Sequence, residues 1–315
     1  MNKTLSYTAA NTYPIKLIKN KDFLEGNHIK PVHIQLSPTN KCNLKCGFCS
    51  CKNENRDTEL SFEEIQLIIS KFSTLGTKAV TITGGGEPLM HPQINEIINE
   101  FYWANIAVGL VSNGTCLNRL TEKSLAQITW IRLSCSDERK FNPKLYKPII
   151  PLGPYIDWAF SYVATRHFDP DNLSRYIDFA NQNNFTHVRV VSDLIDLDSA
   201  PLVSTMKTLV SVPDDLVIYQ GRRKYEKGNA KCYISLLKPL IAADGKIYPC
   251  CGVQYAKDDA LSFPDSMCMG NVGVIEDIWG EQKVFDGSRC KRCYYGNYND
   301  ILSDLASDIK HLSFV

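Results

Sequence analysis

The sequence predicts an α/β fold. A partial, TIM-like (β/α)6 barrel spans residues 31–210, and a small α+β domain follows over residues 211–315. Three observations carry this. Short β-rich runs alternate with amphipathic helical segments about six times, which implies a parallel sheet covered by helices. That rhythm ends near Leu209, and hairpin signals and cysteines replace it. The chain has 315 residues, 44% hydrophobic and 22% charged, enough for one large domain and a smaller one. Right-handed crossovers curl such a sheet toward a barrel, and six units make part of the eight-unit form.

The elements follow in order. Residues 1–30 read as an N-terminal arm packed on the main domain, too few for a separate peptide-binding domain. His33-Ile34-Gln35-Leu36 alternates into Pro38 as a first strand. Ser61 and Glu64 form a capping-box pattern ahead of an apolar stripe through Phe62, Ile65, Ile68, Ile69, Phe72 and Leu75, and Gly76 stops that helix. Ala79–Thr83 is a second strand, and a helix runs from Pro92 to about Asn105. Ile106–Ser112, Thr129–Ser134, Ile156–Val163 and His187–Val191 are the next four strands. Thr121 caps a short helix, and longer ones lie near Asn172–Asn183 and Ser199–Leu209. Pro213-Asp214-Asp215 reads as a linker turn. Asp244-Gly245 between apolar runs is a hairpin signal, and a short helix passes through Ile275–Trp279.

The chemistry sits in cysteines. Ser37–Cys51 contains Cys42, Cys46 and Cys49 in the spacing C-x3-C-x2-C. Three thiolates can hold three irons of a cubic 4Fe–4S cluster and leave the fourth open to a small molecule. A closed zinc site completed by Cys51 is the alternative. Farther on stand Cys232, Cys250 and Cys290-Lys291-Arg292-Cys293. Four thiolates there suit a second iron–sulfur cluster or a structural zinc.

These motifs resemble the radical S-adenosylmethionine (radical SAM) enzymes. C-x3-C-x2-C with Phe48 is similar to their cluster loop, where the open iron chelates the amino and carboxylate groups of SAM and the aromatic packs near the adenine. Gly85-Gly86-Glu87-Pro88, after the second strand, resembles their Gly-Gly-Glu-Pro motif, which binds the SAM amino group. The C-terminal pattern resembles the auxiliary-cluster domain of the SPASM/twitch group: a cysteine, a Gly-x4-Cys hairpin from Gly245 to Cys250, a Gly-Asn segment with a helix, then C-x2-C. With no cysteine after Cys293, the resemblance is to the shortened twitch form, with one auxiliary cluster on Cys232, Cys250, Cys290 and Cys293. Cys251 and Cys268 are substitute ligands or plain thiols.

Further candidates lie at strand ends, where parallel barrels gather their sites. Ser112, Asn113 and Ser134 are candidates for the SAM ribose or carboxylate, and Arg189 for the SAM carboxylate or an anionic substrate. Ser134-Cys135-Ser136-Asp137 replaces the family's Ser-Leu-Asp-Gly run. A Cys135 thiol facing the cavity would return a hydrogen atom, and packed behind the strand it would be inert. Asp137 or Tyr162 is the candidate proton acceptor.

The resemblance implies an enzyme that cleaves SAM reductively to methionine and 5′-deoxyadenosine. The expected outcome is dehydrogenation of a small polar metabolite, the substrate radical passing its electron to the auxiliary cluster. The alternatives are modification of a peptide, by epimerisation or cross-linking, and a non-catalytic iron–sulfur or zinc protein. An electron donor such as flavodoxin or ferredoxin is the expected partner. A net charge of +1 gives no reason to expect nucleic acid, and no apolar run approaches the ~18 residues that span a bilayer. A polar N-terminus and twelve cysteines suit a reducing cytoplasm.

Overall fold

A computed structural model describes residues 12–24, 28–196, 200–210, 216–220, 227–255, 261–293 and 295–305. Its centre is a parallel sheet built from β1 (His33–Leu36), β2 (Ala79–Ile82), β3 (Ala107–Ser112), β4 (Ile128–Ser136), β5 (Asp157–Ala164), β6 (His187–Ser192) and β7 (Val217–Gln220), each hydrogen-bonded to the next. Helices cross between them. α1 (Tyr13–Lys19) precedes β1, and α2 (Phe62–Thr74), α3 (Ile94–Trp103), α4 (Glu122–Leu125), α5 (Pro170–Gln182) and α6 (Ala200–Leu209) follow in turn. The caps follow the sequence rules. Ser61 and Glu64 close a full capping box on α2, Thr121 caps α4, and Asp169 accepts from Asn172 N at the start of α5.

Strand alternation divides the sheet into two faces. Ile34, Leu36, Val80, Ile82, Leu110, Ile131, Leu133 and Phe160 are 0–1% exposed and pack under the helices with Ile65, Ile68, Phe72, Ile97 and Phe101. The opposite face, carrying Gln35, Thr81, Arg132, Ser134, Ser161 and Arg189, lines the inside of the barrel.

Two features depart from the sequence reading. β7 is a seventh parallel strand within the stretch assigned to the second domain. The linker turn read at 213–215 lies outside the described residues. The C-terminal part also does not build a sheet of its own. α7 (Ile234–Leu237) leads into β8 (Leu240–Ile241), which pairs parallel with β1. The hairpin to β9 (Lys246–Tyr248) turns at Gly245, φ +74°, and β10 (Gly270–Asn271) adds antiparallel. One ten-stranded sheet results, in the order β10-β9-β8-β1-β2-β3-β4-β5-β6-β7. α8 (Ile275–Gly280) packs Trp279 against Phe72 of α2, and α9 (Gly296–Leu305) closes the described chain. Among the described residues no helix is long and apolar enough to cross a membrane.

Candidate functional site

The loop after β1 carries Cys42, Cys46 and Cys49 at the C-terminal end of the strands, all partly exposed and none in a disulfide. Burial, and then the neighbouring Cys49 thiol, push Cys46 up to about 11. Burial raises Cys42 as well. Thiols that raise one another this way share one space, and a bound cation reverses the effect by favouring thiolates. Phe48 is half-buried between the second and third cysteines. Cys51 turns away. It is 3% exposed, its thiol donates to Gln254 Oε1 at 3.1 Å, and burial raises its pKa. The fourth thiol of a closed zinc site is thus engaged elsewhere.

The Gly85–Pro88 turn is locked to that loop. Gly86 N donates to Thr39 O and Glu87 N to Lys41 O, at 3.1 and 2.8 Å. Gly85 N donates to Ser37 Oγ, and Arg56 bridges Asn40 O and Gly85 O. A Cβ at Gly86 would stand 2.2 Å from Lys41 O, so glycine is needed for the backbones to cross. The sequence reading assigned these glycines to close approach of a ligand. Here Gly86 is also required by the neighbouring loop.

Glu87, 2% exposed, does not project into open space. Its carboxylate accepts from Leu89 N, Ser112 Oγ and Asn113 N, at 3.1, 2.7 and 2.6 Å. Burial raises its pKa, and the Asn113 and Ser112 bonds oppose this. Ser112 spends its hydroxyl on Glu87 and Gly114 N. Asn113 bonds Asn43, beside Cys42, at 3.0 Å. Ser134 sits on the inner face in one cross-strand row with Ser161 and Arg189.

Two expectations are corrected. Cys135 shares the outer face of β4 with Ile131 and Leu133, is 2% exposed, and lies 3.6 Å from Ser161 O. It therefore packs behind the strand and cannot return a hydrogen atom in the barrel. Tyr162 also faces outward, ring to ring with Tyr176. Asp137 is not an idle base: it accepts from Tyr162 OH, Thr165 N and Asp169 N, and so orders the turns after β4 and β5. The next two residues escaped the sequence reading. Glu138 accepts from Gly47 N inside the cysteine loop at 2.9 Å. Arg139 bonds Ser134 O and stands near enough to Cys46 to lower its pKa. Neither sits in a motif, and only the fold brings them to the loop.

The second cysteine set lies close together. Cys232, Cys250, Cys290 and Cys293 line one cavity with Gly228, Gly287 and Tyr295. Burial, then Cys293 and Cys290, push Cys232 up to about 12, and burial with Cys293 brings Cys290 to about 11. Burial and then Cys251 and Cys232 raise Cys250. Gly252 N donates to Cys250 Sγ at 3.3 Å. A Cβ at Gly287 would stand 2.4 Å from Asn229 O and 3.2 Å from Cys232 Cβ. Cys251, 3.4 Å from Tyr295 OH, and Cys268, bonded to Gly270, do not line the cavity. Among the described residues no three His, Cys, Asp or Glu are grouped to hold a single metal ion; these four thiols ring a cavity. The donor set of four thiols suits a four-iron cluster.

The two sites touch. Ser50 and Cys51 both donate to Gln254 Oε1, and Gln254 follows Cys250 by one 3-10 turn, Cys251–Tyr255. Asn53 N donates to Leu261 O, and Glu54 accepts from Phe263 N and Asn40 Nδ2.

Known proteins share parts of this sequence and of this fold. Residues 36–136 match the Radical SAM superfamily. A probable GTP 3′,8-cyclase of Methanocaldococcus jannaschii is 36% identical over 131 residues, 41% of this chain and 42% of that one. The GTP 3′,8-cyclase of Aquifex aeolicus is 27% identical over 296 residues, 79% and 89%. The alignment thus spans less than half of the first relative and most of the second. Among solved structures, Streptococcus suis SuiB, bound to its precursor peptide SuiA, superposes with TM-score 0.57 at 17% identity, over 93% of this chain and 76% of that one. anSMEcpe, with AdoMet and a peptide, gives 0.56 at 13%, over 84% and 86%. The fold is therefore the one these two proteins share. Residues 36–136 thus carry this chain's similarity to the Radical SAM superfamily, and SuiB has also been solved bound to S-adenosylmethionine.

Proposed function

We propose that the chain oxidises an unactivated C–H bond of a small polar metabolite, with Cys42, Cys46 and Cys49 holding the SAM-binding cluster. Cys232, Cys250, Cys290 and Cys293 hold an auxiliary one. The observation that carries this is the pair of cysteine sets joined through Gln254, one partly exposed at the strand ends and one ringing a cavity. When bound, the first cluster and SAM supply a 5′-deoxyadenosyl radical as hydrogen abstractor, and the second cluster accepts one electron. The protein's own part is positioning. Glu87 holds Asn113 and the Gly85–Pro88 turn at the cysteine loop, Glu138 holds Gly47, and Arg56 ties Asn40 to Gly85. Phe48 and Ser134 are assigned to contact SAM. The relatives' named substrate, GTP, is a small polar molecule, which supports the metabolite class.

The test is anaerobic reconstitution followed by SAM and dithionite. About eight irons per chain and formation of 5′-deoxyadenosine are expected. A reconstituted chain that binds no SAM and forms no 5′-deoxyadenosine with any candidate substrate is not this enzyme. Turnover of peptides alone would replace the metabolite by a peptide side chain.

A further inference from the structure

Glu54 stands between the auxiliary segment and the Gly85–Pro88 turn, and it belongs to no motif. Its N–H donates to Cys51 O at 3.2 Å, which folds it back on the cysteine loop. Carboxylate Oε1 accepts from Phe263 N, and Oε2 accepts from Asn40 Nδ2 at 3.2 Å. One side chain is thus shared by two distant segments.

On one side the contact continues to the glycine turn. Asn40 is 3% exposed. Its Oδ1 accepts no hydrogen bond among the described residues and faces Gly85, where a Cβ would stand 2.1 Å from it. Glu54 sets this orientation, because an ionised carboxylate only accepts and so draws the N–H end of the amide. Arg56 adds a second tie, from Nη1 to Asn40 O and Gly85 O at 3.1 and 3.0 Å.

On the other side it continues to the auxiliary cysteines. The Phe263 ring stands 5.2 Å from that of Tyr248, and Tyr248 OH donates to Phe263 O at 3.3 Å. Tyr248 ends β9, two residues before Cys250. Tyr248 and Phe285 belong to one packed cluster, and Phe263, Cys232 and Cys290 all lie against it. A group held by those cysteines therefore braces the segment that Glu54 grips. Close-packed interiors deform little, so a change at one end biases the other.

We infer that Glu54 is a positioning residue that couples the two sites. An occupied auxiliary cavity fixes Phe263, Phe263 fixes the Glu54 carboxylate, and Glu54 holds Asn40 against Gly85 with the turn set for SAM. Coupling of equilibrium binding is reciprocal, so bound SAM also protects the auxiliary centre. This rests on the function proposed above only in placing SAM at the Gly85–Pro88 turn and a cluster on the four auxiliary cysteines.

Equilibrium dialysis of labelled SAM against the anaerobically reconstituted chain tests it in four forms: wild type, Cys290→Ser with Cys293→Ser, Glu54→Ala, and the combination. Iron should be about eight per chain in wild type and Glu54→Ala, and about four in the two cysteine variants. Emptying the auxiliary site should weaken SAM binding roughly tenfold without abolishing it, an ordinary size for coupling between sites. Glu54→Ala should weaken it similarly with its iron in place, and the combination should bind no worse than either. Glu54→Gln keeps an acceptor for Phe263 N but turns a donor toward Asn40, and should also weaken SAM binding. A second measurement needs no cysteine variant: SAM should slow the loss of auxiliary iron to a chelator in wild type and not in Glu54→Ala. SAM affinity indifferent to the emptied site, or losses that add in the combination, overturns the coupling. A coupled chain that oxidises no candidate metabolite would remove the oxidation reading and leave the role of Glu54 standing. Oxidation by an uncoupled chain would do the reverse.

Discussion

Glu87 shows how one buried side chain can organise the loops around it. Its two oxygens accept three hydrogen bonds in a buried setting. Glu87→Gln turns one acceptor into a donor facing Asn113 N–H or the Ser112 hydroxyl. It should cost about 1.5–3 kcal/mol, the worth of bonds to a charged group, and weaken SAM binding; urea unfolding and equilibrium dialysis measure the two. His187 makes a pH prediction. Its folded pKa, about 3, lies below the ordinary 6.5. The unfolded chain therefore takes up a proton that the folded one refuses. That contribution to stability is complete above about 6.5 and is lost on acidification toward 3, by about 1.4 kcal/mol per pH unit. The difference in unfolding free energy between wild type and His187→Asn should show this slope. At this scale the sequence reveals the cysteines through their spacing. The fate of Cys135 was also present in its alternation with Ile131 and Leu133, while the partners of Glu138 and Arg139 are set by long-range folding that spacing does not encode.

Among elements, strands β1 to β6 and helices α2 to α5 were legible from apolar period and caps, while α1, within the N-terminal arm, was not. β7 was not: four residues between stretches rich in Pro, Asp, Gly and Arg give too short a pattern. Nor does the Asp244-Gly245 hairpin signal say which sheet it joins, since that depends on β8 meeting β1. The two loops can be separated by glycine substitution. Gly287→Ala drives Asn229 and Cys232 apart, and iron should fall from about eight toward about four per chain, with SAM still bound. Gly86→Ala strikes the Lys41 carbonyl instead. It should remove SAM binding while the auxiliary absorbance persists. Iron analysis and the visible spectrum distinguish the two variants.

Across the molecule, one ten-stranded sheet runs without interruption from the auxiliary hairpin into the barrel, so the two cysteine sets are parts of a single body. The two-domain division read from sequence cuts across that sheet. The clasp of Gln254 on Ser50 and Cys51 adds a bond between the loops themselves. Gln254→Leu should therefore slow cluster loading at both sites and leave secondary structure unchanged, as circular dichroism during stepwise iron and sulfide addition would report. Maturation should then be cooperative. Whichever centre fills first stiffens the strap that its neighbour needs, so partly assembled chains should be scarce: a population would run from empty to complete with few halfway forms, and native mass spectrometry would count them.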